Sequence, residues 1–133
     1  MKQLIMAVAL VTGLSIALAG CAPHTAGIMA SSTGESRIDN RNFANEVTLT
    51  QLKARPEGGL LQGAGLISSQ VATDLRLQYK FTWFDAANFA IEDEGVSWKS
   101  VKLHGKQQMQ VVGLAPNANA VRYELYVRKA FSN

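Results

Sequence analysis

Residue types able to serve as nucleophile, base or metal ligand are sparse in this chain. Of 133 residues, one is cysteine and two are histidine. A single cysteine, Cys21, forms no internal disulfide and excludes zinc sites that need two or more thiolates. Catalysis by a serine, threonine or cysteine nucleophile needs a neighbouring base. His24 lies in a polar segment close behind Cys21, which leaves His104, between Leu103 and Gly105, where a solvent-facing turn histidine is the expected role. No Gly-x-Ser-x-Gly, His-Glu-x-x-His or phosphate-loop pattern is present. The acidic cluster Glu92-Asp93-Glu94-Gly95 lacks EF-hand spacing and reads as a solvated loop. The chain is therefore expected to be no enzyme and to carry no metal and no cofactor.

Cys21 has another chemistry open to it, set by what precedes it. Met1-Lys2-Gln3 is a short positive start, and Leu4 to Leu18 is apolar apart from Thr12, Gly13 and Ser15. That run is shorter than the roughly 20 apolar residues of a membrane-spanning helix and has the build of a secretory signal peptide. Leu18-Ala19-Gly20-Cys21 resembles the lipobox of bacterial lipoproteins. There the cysteine thiol becomes a thioether to diacylglycerol, a peptidase needing small side chains cuts between Gly20 and Cys21, and the freed amine is acylated. Each buried methylene contributes about 0.8 kcal/mol. Three long acyl chains, with on the order of forty methylenes, would then hold the chain by more than roughly 30 kcal/mol. Ala22 in place of Asp favours the outer membrane by resemblance to enterobacterial sorting rules, so the expected location is lipid-anchored and periplasm-facing.

Charge narrows the partners. Losing residues 1–20 removes one lysine, and the remaining 12 Lys and Arg against 10 Asp and Glu leave a net charge of +2. With no basic run or stripe, nucleic-acid binding has no support. Residues 21–45 are polar and small, without periodicity, and read as an acylated, flexible tether spanning roughly 27 Å as a coil. Ile38 and Phe43 are the exceptions, either able to dock as an edge segment.

Residues 46–133 carry the period of two that marks strands with one buried and one wet face. In the clearest stretch Leu75, Leu77, Tyr79, Phe81 and Trp83 alternate with Arg76, Gln78, Lys80 and Thr82. Val121, Tyr123, Leu125 and Val127 alternate likewise with Arg122, Glu124, Tyr126 and Arg128. Further strands are expected over Val47–Ala54, Leu60–Ser68, Val101–His104 and Gln108–Val111. Arg55-Pro56-Glu57-Gly58-Gly59 reads as a turn, and His104-Gly105-Lys106 as the turn of a hairpin because glycine tolerates positive φ. Phe89–Ile91 adds a short seventh strand. Trp83 and Trp98 are both expected in the core rather than as ligand platforms. The fold class is all-β, an antiparallel sandwich.

Tyr79-Lys80-Phe81-Thr82-Trp83-Phe84-Asp85, Trp98, Leu103-His104-Gly105-Lys106-Gln107, Gly113-Leu114-Ala115-Pro116-Asn117 and the Arg-Tyr-Glu-Leu-Tyr-Val-Arg ending resemble the YcfL-like family of small bacterial lipoproteins of unknown function. The resemblance covers roughly residues 47–129 with the lipobox. It implies an immunoglobulin-like β fold, work in the cell envelope and no inherited catalytic residues. Relatives tend to carry glycine in the turn after Phe84; Asn88 can take the left-handed conformation in its place.

Pairing of the 75–84 and 121–128 strands would put Arg76 and Lys80 beside Arg122, Tyr126 and Arg128 on one wet face. A basic face with an aromatic suits an acidic protein partner or an anionic polymer. The expected role is a non-catalytic binding or accessory module contacting an envelope protein. Recognition of peptidoglycan or another glycan is the alternative, and it requires an exposed Trp98 or Tyr126.

Overall fold

The computed structural model describes residues 26–91 and 98–130. These form nine strands and one short helix: β1 Ile28–Ser31, β2 Ser36–Ile38, α1 Arg41–Glu46, β3 Val47–Glu57, β4 Leu60–Ser69, β5 Leu75–Phe84, β6 Ala90–Ile91, β7 Lys99–Leu103, β8 Gln108–Leu114 and β9 Arg122–Lys129. A large antiparallel sheet runs β2-β1-β9-β5-β6, with β7 pairing β5 beside β6; a small sheet runs β3-β4-β8. Period-two alternation gives each sheet one apolar face, and the two faces close on each other as the expected sandwich.

The two sheets contribute unequally to the core. β5 and β9 supply Leu77, Phe81, Trp83, Tyr123, Leu125 and Val127, all buried. Phe81 stacks on Trp83 with ring centroids 5.7 Å apart, and Tyr123 lies 5.5 Å from Phe81 and 5.4 Å from Trp83. The small sheet answers these bulky groups with glycine. A Cβ on Gly63 would sit 2.6 Å from the Tyr123 ring, and one on Gly113 would sit 2.6 Å from the Phe81 ring. The Tyr123 hydroxyl crosses the sandwich to the carbonyl oxygens of Lys53 at 2.8 Å and Ala64 at 2.7 Å, and accepts from the Ala64 N–H at 3.2 Å. It meets β3 where the pairing register shifts between Thr50 and Lys53, with Gln51 at φ 51°.

Several expectations change. Residues 27–45, within the segment read as a tether, are part of the fold. β1 pairs β9 with Ile28 opposite Val127 and Ala30 opposite Leu125, burying Ile28 and Met29. Phe43 docks into the core from α1, whose first turn is capped by the Asn40 side chain. A short polar segment gains these contacts only through a strand far away in sequence, so its own composition does not announce them.

The hairpin expected around His104-Gly105-Lys106 does not form. β7 pairs β5 in the large sheet and β8 pairs β4 in the small one, so this turn carries the chain between layers. Gly105 is needed there for closeness rather than for φ: a Cβ would lie 2.1 Å from the Ala72 carbonyl oxygen, while Lys106 takes the positive φ of 62°. β3 continues through Pro56 to Glu57, and Gly58 and Gly59 alone, at φ 59° and 81°, make the reversal. That is a two-residue hairpin with both central residues left-handed; Pro56 fits because β3 is an edge strand. Asn88 does adopt the left-handed conformation, at φ 69°.

Candidate binding face on the large sheet

The pairing of β5 with β9 brings the five expected face residues onto the outer surface of the large sheet. Lys80 stands opposite Tyr126, Gln78 opposite Arg128 and Phe84 opposite Arg122, while Arg76 faces Lys102 of β7 on the other side. Their roles then divide according to what each side chain touches.

Arg122 is enclosed. Its guanidinium lies 3.9 Å above the Phe84 ring, and Nε donates to Asn88 Oδ1 at 2.7 Å and Nη1 to Glu124 Oε2 at 3.3 Å. The Tyr126 hydroxyl donates to the other Glu124 oxygen at 2.5 Å. Burial and this bond to a carboxylate push the Tyr126 phenol up to about 12. Arg37 of β2 lies 6.0 Å from the centre of the Tyr126 ring and is fixed by Asp39, to which Nε donates at 2.9 Å and Nη2 at 3.2 Å. Arg128 stacks 3.8 Å above the Trp98 ring, and its Nε donates to Gln78 Oε1 at 3.0 Å. Three arginine–aromatic pairs thus lie along one face, each guanidinium also making a second polar contact.

Trp98 accordingly belongs to this outer face and not to the core, which corrects its expected place. It immediately precedes β7, and the β5–β7 register continues it opposite Lys80, on the wet side. Trp83 is in the core as expected, at 3% exposure. Arg76 and Lys80 make no ion pair among the described residues, whereas Arg122 and Tyr126 are committed to internal contacts.

The other expected chemistry separates in space. His104 is exposed, its Nδ1 3.3 Å from Asp74 Oδ1, and Lys102 Nζ is 3.5 Å from Asp74 Oδ2. The hydrogen bond from His104 and the nearby cations hold the Asp74 carboxyl below its ordinary value. Among the described residues no group of three His, Cys, Asp or Glu could hold a metal ion, and no helix is long and apolar enough to cross a membrane. Gly20, Cys21, His24 and the cluster at 92–95 lie outside the described residues.

Where β5 stops and β9 starts the sandwich exposes two apolar groups, which corrects the expectation that Val121 lies on the buried side of the last strand and that Phe89 belongs to the short strand after β5. Phe89 is 71% and Val121 57% exposed. Both hang on the corner after β5: Val121 N–H donates to the Phe84 carbonyl and Asp85 N–H to the Phe89 carbonyl. Phe89 lies just before β6 and Val121 just before β9, so Val121 continues the alternation of 121–127 in sequence but falls outside the paired strand and escapes burial.

A model of a protein family of unknown function, DUF1425, matches residues 34–129. A crystallised DUF1425 family member from Shewanella sp. pv-4 is 59% identical, covering 80% of this chain and 99% of that one at a TM-score of 0.62. Cj0090 of Campylobacter jejuni is similar in fold, at 18% identity and TM-score 0.53, covering 62% of this chain and 85% of that one. No functionally curated protein is detectably similar.

Proposed function

We propose, from the premise that this chain belongs to the DUF1425 family, that it is a lipid-anchored outer-membrane protein whose periplasmic sandwich binds a partner protein of the cell envelope. Within the family its motifs and lipobox fit the YcfL-like lipoproteins. The anchor is Cys21, acylated after cleavage behind Gly20. The observation that carries the binding role is the row of arginine–aromatic pairs on the large sheet. Arginine, tryptophan and tyrosine dominate interface hot spots, since they bury wide planar surface at small entropic cost. Here the three guanidinium groups are already immobilised, which lowers the ordering cost of association. Arg76 and Lys80 add positive charge beside them, suiting an acidic partner.

The glycan alternative is less favoured on this face. Stacking on a sugar needs an uncovered ring, and Arg128 lies on Trp98 while Arg37 lies beside Tyr126. The test is envelope crosslinking with mass spectrometry on the wild type and on the combined Arg76→Glu, Lys80→Glu, Arg128→Glu variant. Loss of a crosslinked protein from the variant is expected. Unchanged recovery, or crosslinks that fall only on the small sheet, would remove this face from the reading.

A further inference from the structure

The chain enters the fold at a defined corner. Gly27 sits so close to β9 that a Cβ there would lie 2.0 Å from the Val127 carbonyl oxygen, and its own carbonyl accepts from Asp39 N–H at 2.8 Å and Asn40 N–H at 3.0 Å. Strand directions place this corner at one end of the sandwich, with the start of α1, the 70–74 connection, the 104–107 turn and the end of β9. Six peptide steps separate Cys21 from Gly27, a reach of at most about 20 Å. With Cys21 acylated this end faces the lipid surface at short range, whereas a tether continuing to residue 45 would have left every orientation open.

The charges are sorted along the same axis. Arg41, Arg76, Lys102, Lys106 and Lys129 occupy the entry end against the carboxylates of Glu46 and Asp74, with the Arg37–Asp39 pair neutral beside them. Lys129 forms an ion pair with Glu46 at 2.9 Å, without hydrogen-bond geometry, and Lys102 pairs Asp74. Arg41 and Arg76 are exposed with no ion pair among the described residues. At the opposite end Glu35 and Asp85 are exposed or half-exposed, and Arg55 pairs Glu57. The excess of positive charge therefore lies where the anchor pulls the protein down.

We infer that the entry end of the sandwich is a lipid-facing surface that takes the anionic headgroups of the membrane holding the anchor. This rests on the acylation of Cys21 for its orientation, but the surface itself is a property of the folded chain. A negatively charged leaflet attracts basic residues within about a Debye length, roughly 8 Å at physiological salt. Each Lys or Arg at that distance changes affinity by about fivefold. The consequence is a sandwich standing on its basic end, with Phe89 and Val121 turned away from the lipid and the large-sheet face presented sideways.

Residues 26–130 contain both sheets and the core, so the leaderless chain with Cys21→Ser carries the complete fold. Its co-sedimentation with vesicles of phosphatidylcholine mixed with phosphatidylglycerol, against vesicles of phosphatidylcholine alone, reads the surface without the acyl chains. Binding to the anionic vesicles only, weakened by salt, is expected. Combined Arg41→Gln, Arg76→Gln and Lys102→Gln should weaken it on the order of a hundredfold. Glu35→Gln with Asp85→Gln at the far end should not weaken it. Equal sedimentation with both vesicles, an unaffected triple variant, or retention on isolated peptidoglycan without vesicle binding would overturn the inference. Palmitate labelling of the full chain is scored separately: no label at Cys21 with vesicle binding intact defeats the lipoprotein reading and leaves the basic surface standing.

Discussion

Tyr123 and Tyr126 lie three positions apart on β9 and point to opposite faces, and the same phenol does different work on each. Inside, the Tyr123 hydroxyl ties the large sheet to both strands of the small-sheet hairpin. Tyr123→Phe keeps the ring packing but leaves the Lys53 and Ala64 carbonyls without this donor. A loss of about 1–3 kcal/mol is expected, measured as a lowered urea midpoint with an unchanged slope. Outside, burial and Glu124 raise the Tyr126 phenol from 10.0 to about 12. The fold thus favours the protonated phenol, so its contribution is whole below pH 10 and disappears as pH climbs from 10 to about 12. Burial raises Tyr123 as well, in the same sense. Tyr126→Phe should flatten, without abolishing, the fall in urea midpoint over that alkaline range; an unchanged profile would refute the raised phenol at Tyr126. Alternation in the sequence made the inward side of Tyr123 legible. The partner of its hydroxyl was not, because that depends on the irregularity in β3 between Thr50 and Lys53.

Strands with several alternations in a row, β5 and β9 above all, were legible because five or four apolar residues on one side leave no other period open. Elements completed by distant pairing were not. β1 offers only Ile28-Met29-Ala30-Ser31, too short to show a period, and gains its burial from β9. The turn at 104–107 was located but given the wrong partners, since a glycine chosen for close approach looks the same in sequence as one chosen for positive φ. These readings separate experimentally. Starting the leaderless chain after Asn40 would leave a flexible tether's protein unharmed. Here it uncovers the β9 edge and removes the buried Ile28 and Met29, worth about 1.5–3 kcal/mol each, and should shift or abolish cooperative thermal unfolding. Gly105→Ala meets the Ala72 backbone at 2.1 Å, whereas Gly58→Ala meets no atom within 4 Å and only opposes φ 59°. Gly105→Ala should therefore cost clearly more than the roughly 1 kcal/mol expected at position 58.

At the scale of the whole molecule, the sequence showed a balanced net charge, which conceals how that charge is distributed. The order of the strands, invisible in composition, collects Arg41, Arg76, Lys102, Lys106 and Lys129 at the end where the chain enters. It sends Phe89 and Val121 to the other end. An acylated protein with this polarity should hold one preferred orientation on an anionic bilayer. With Cys21 acylated as proposed, no native thiol remains, so Phe89→Cys and Lys106→Cys each introduce a single reporter at an exposed position, one at each end. On phosphatidylglycerol-containing vesicles a bulky, membrane-impermeant maleimide should label position 89 readily and position 106 slowly. In detergent the two rates should converge, because the lipid rather than the fold shields position 106. Equal rates on vesicles would mean that the sandwich tumbles freely over its anchor. The arginine–aromatic face would then be offered to partners at every height above the membrane, instead of at the side of an upright body.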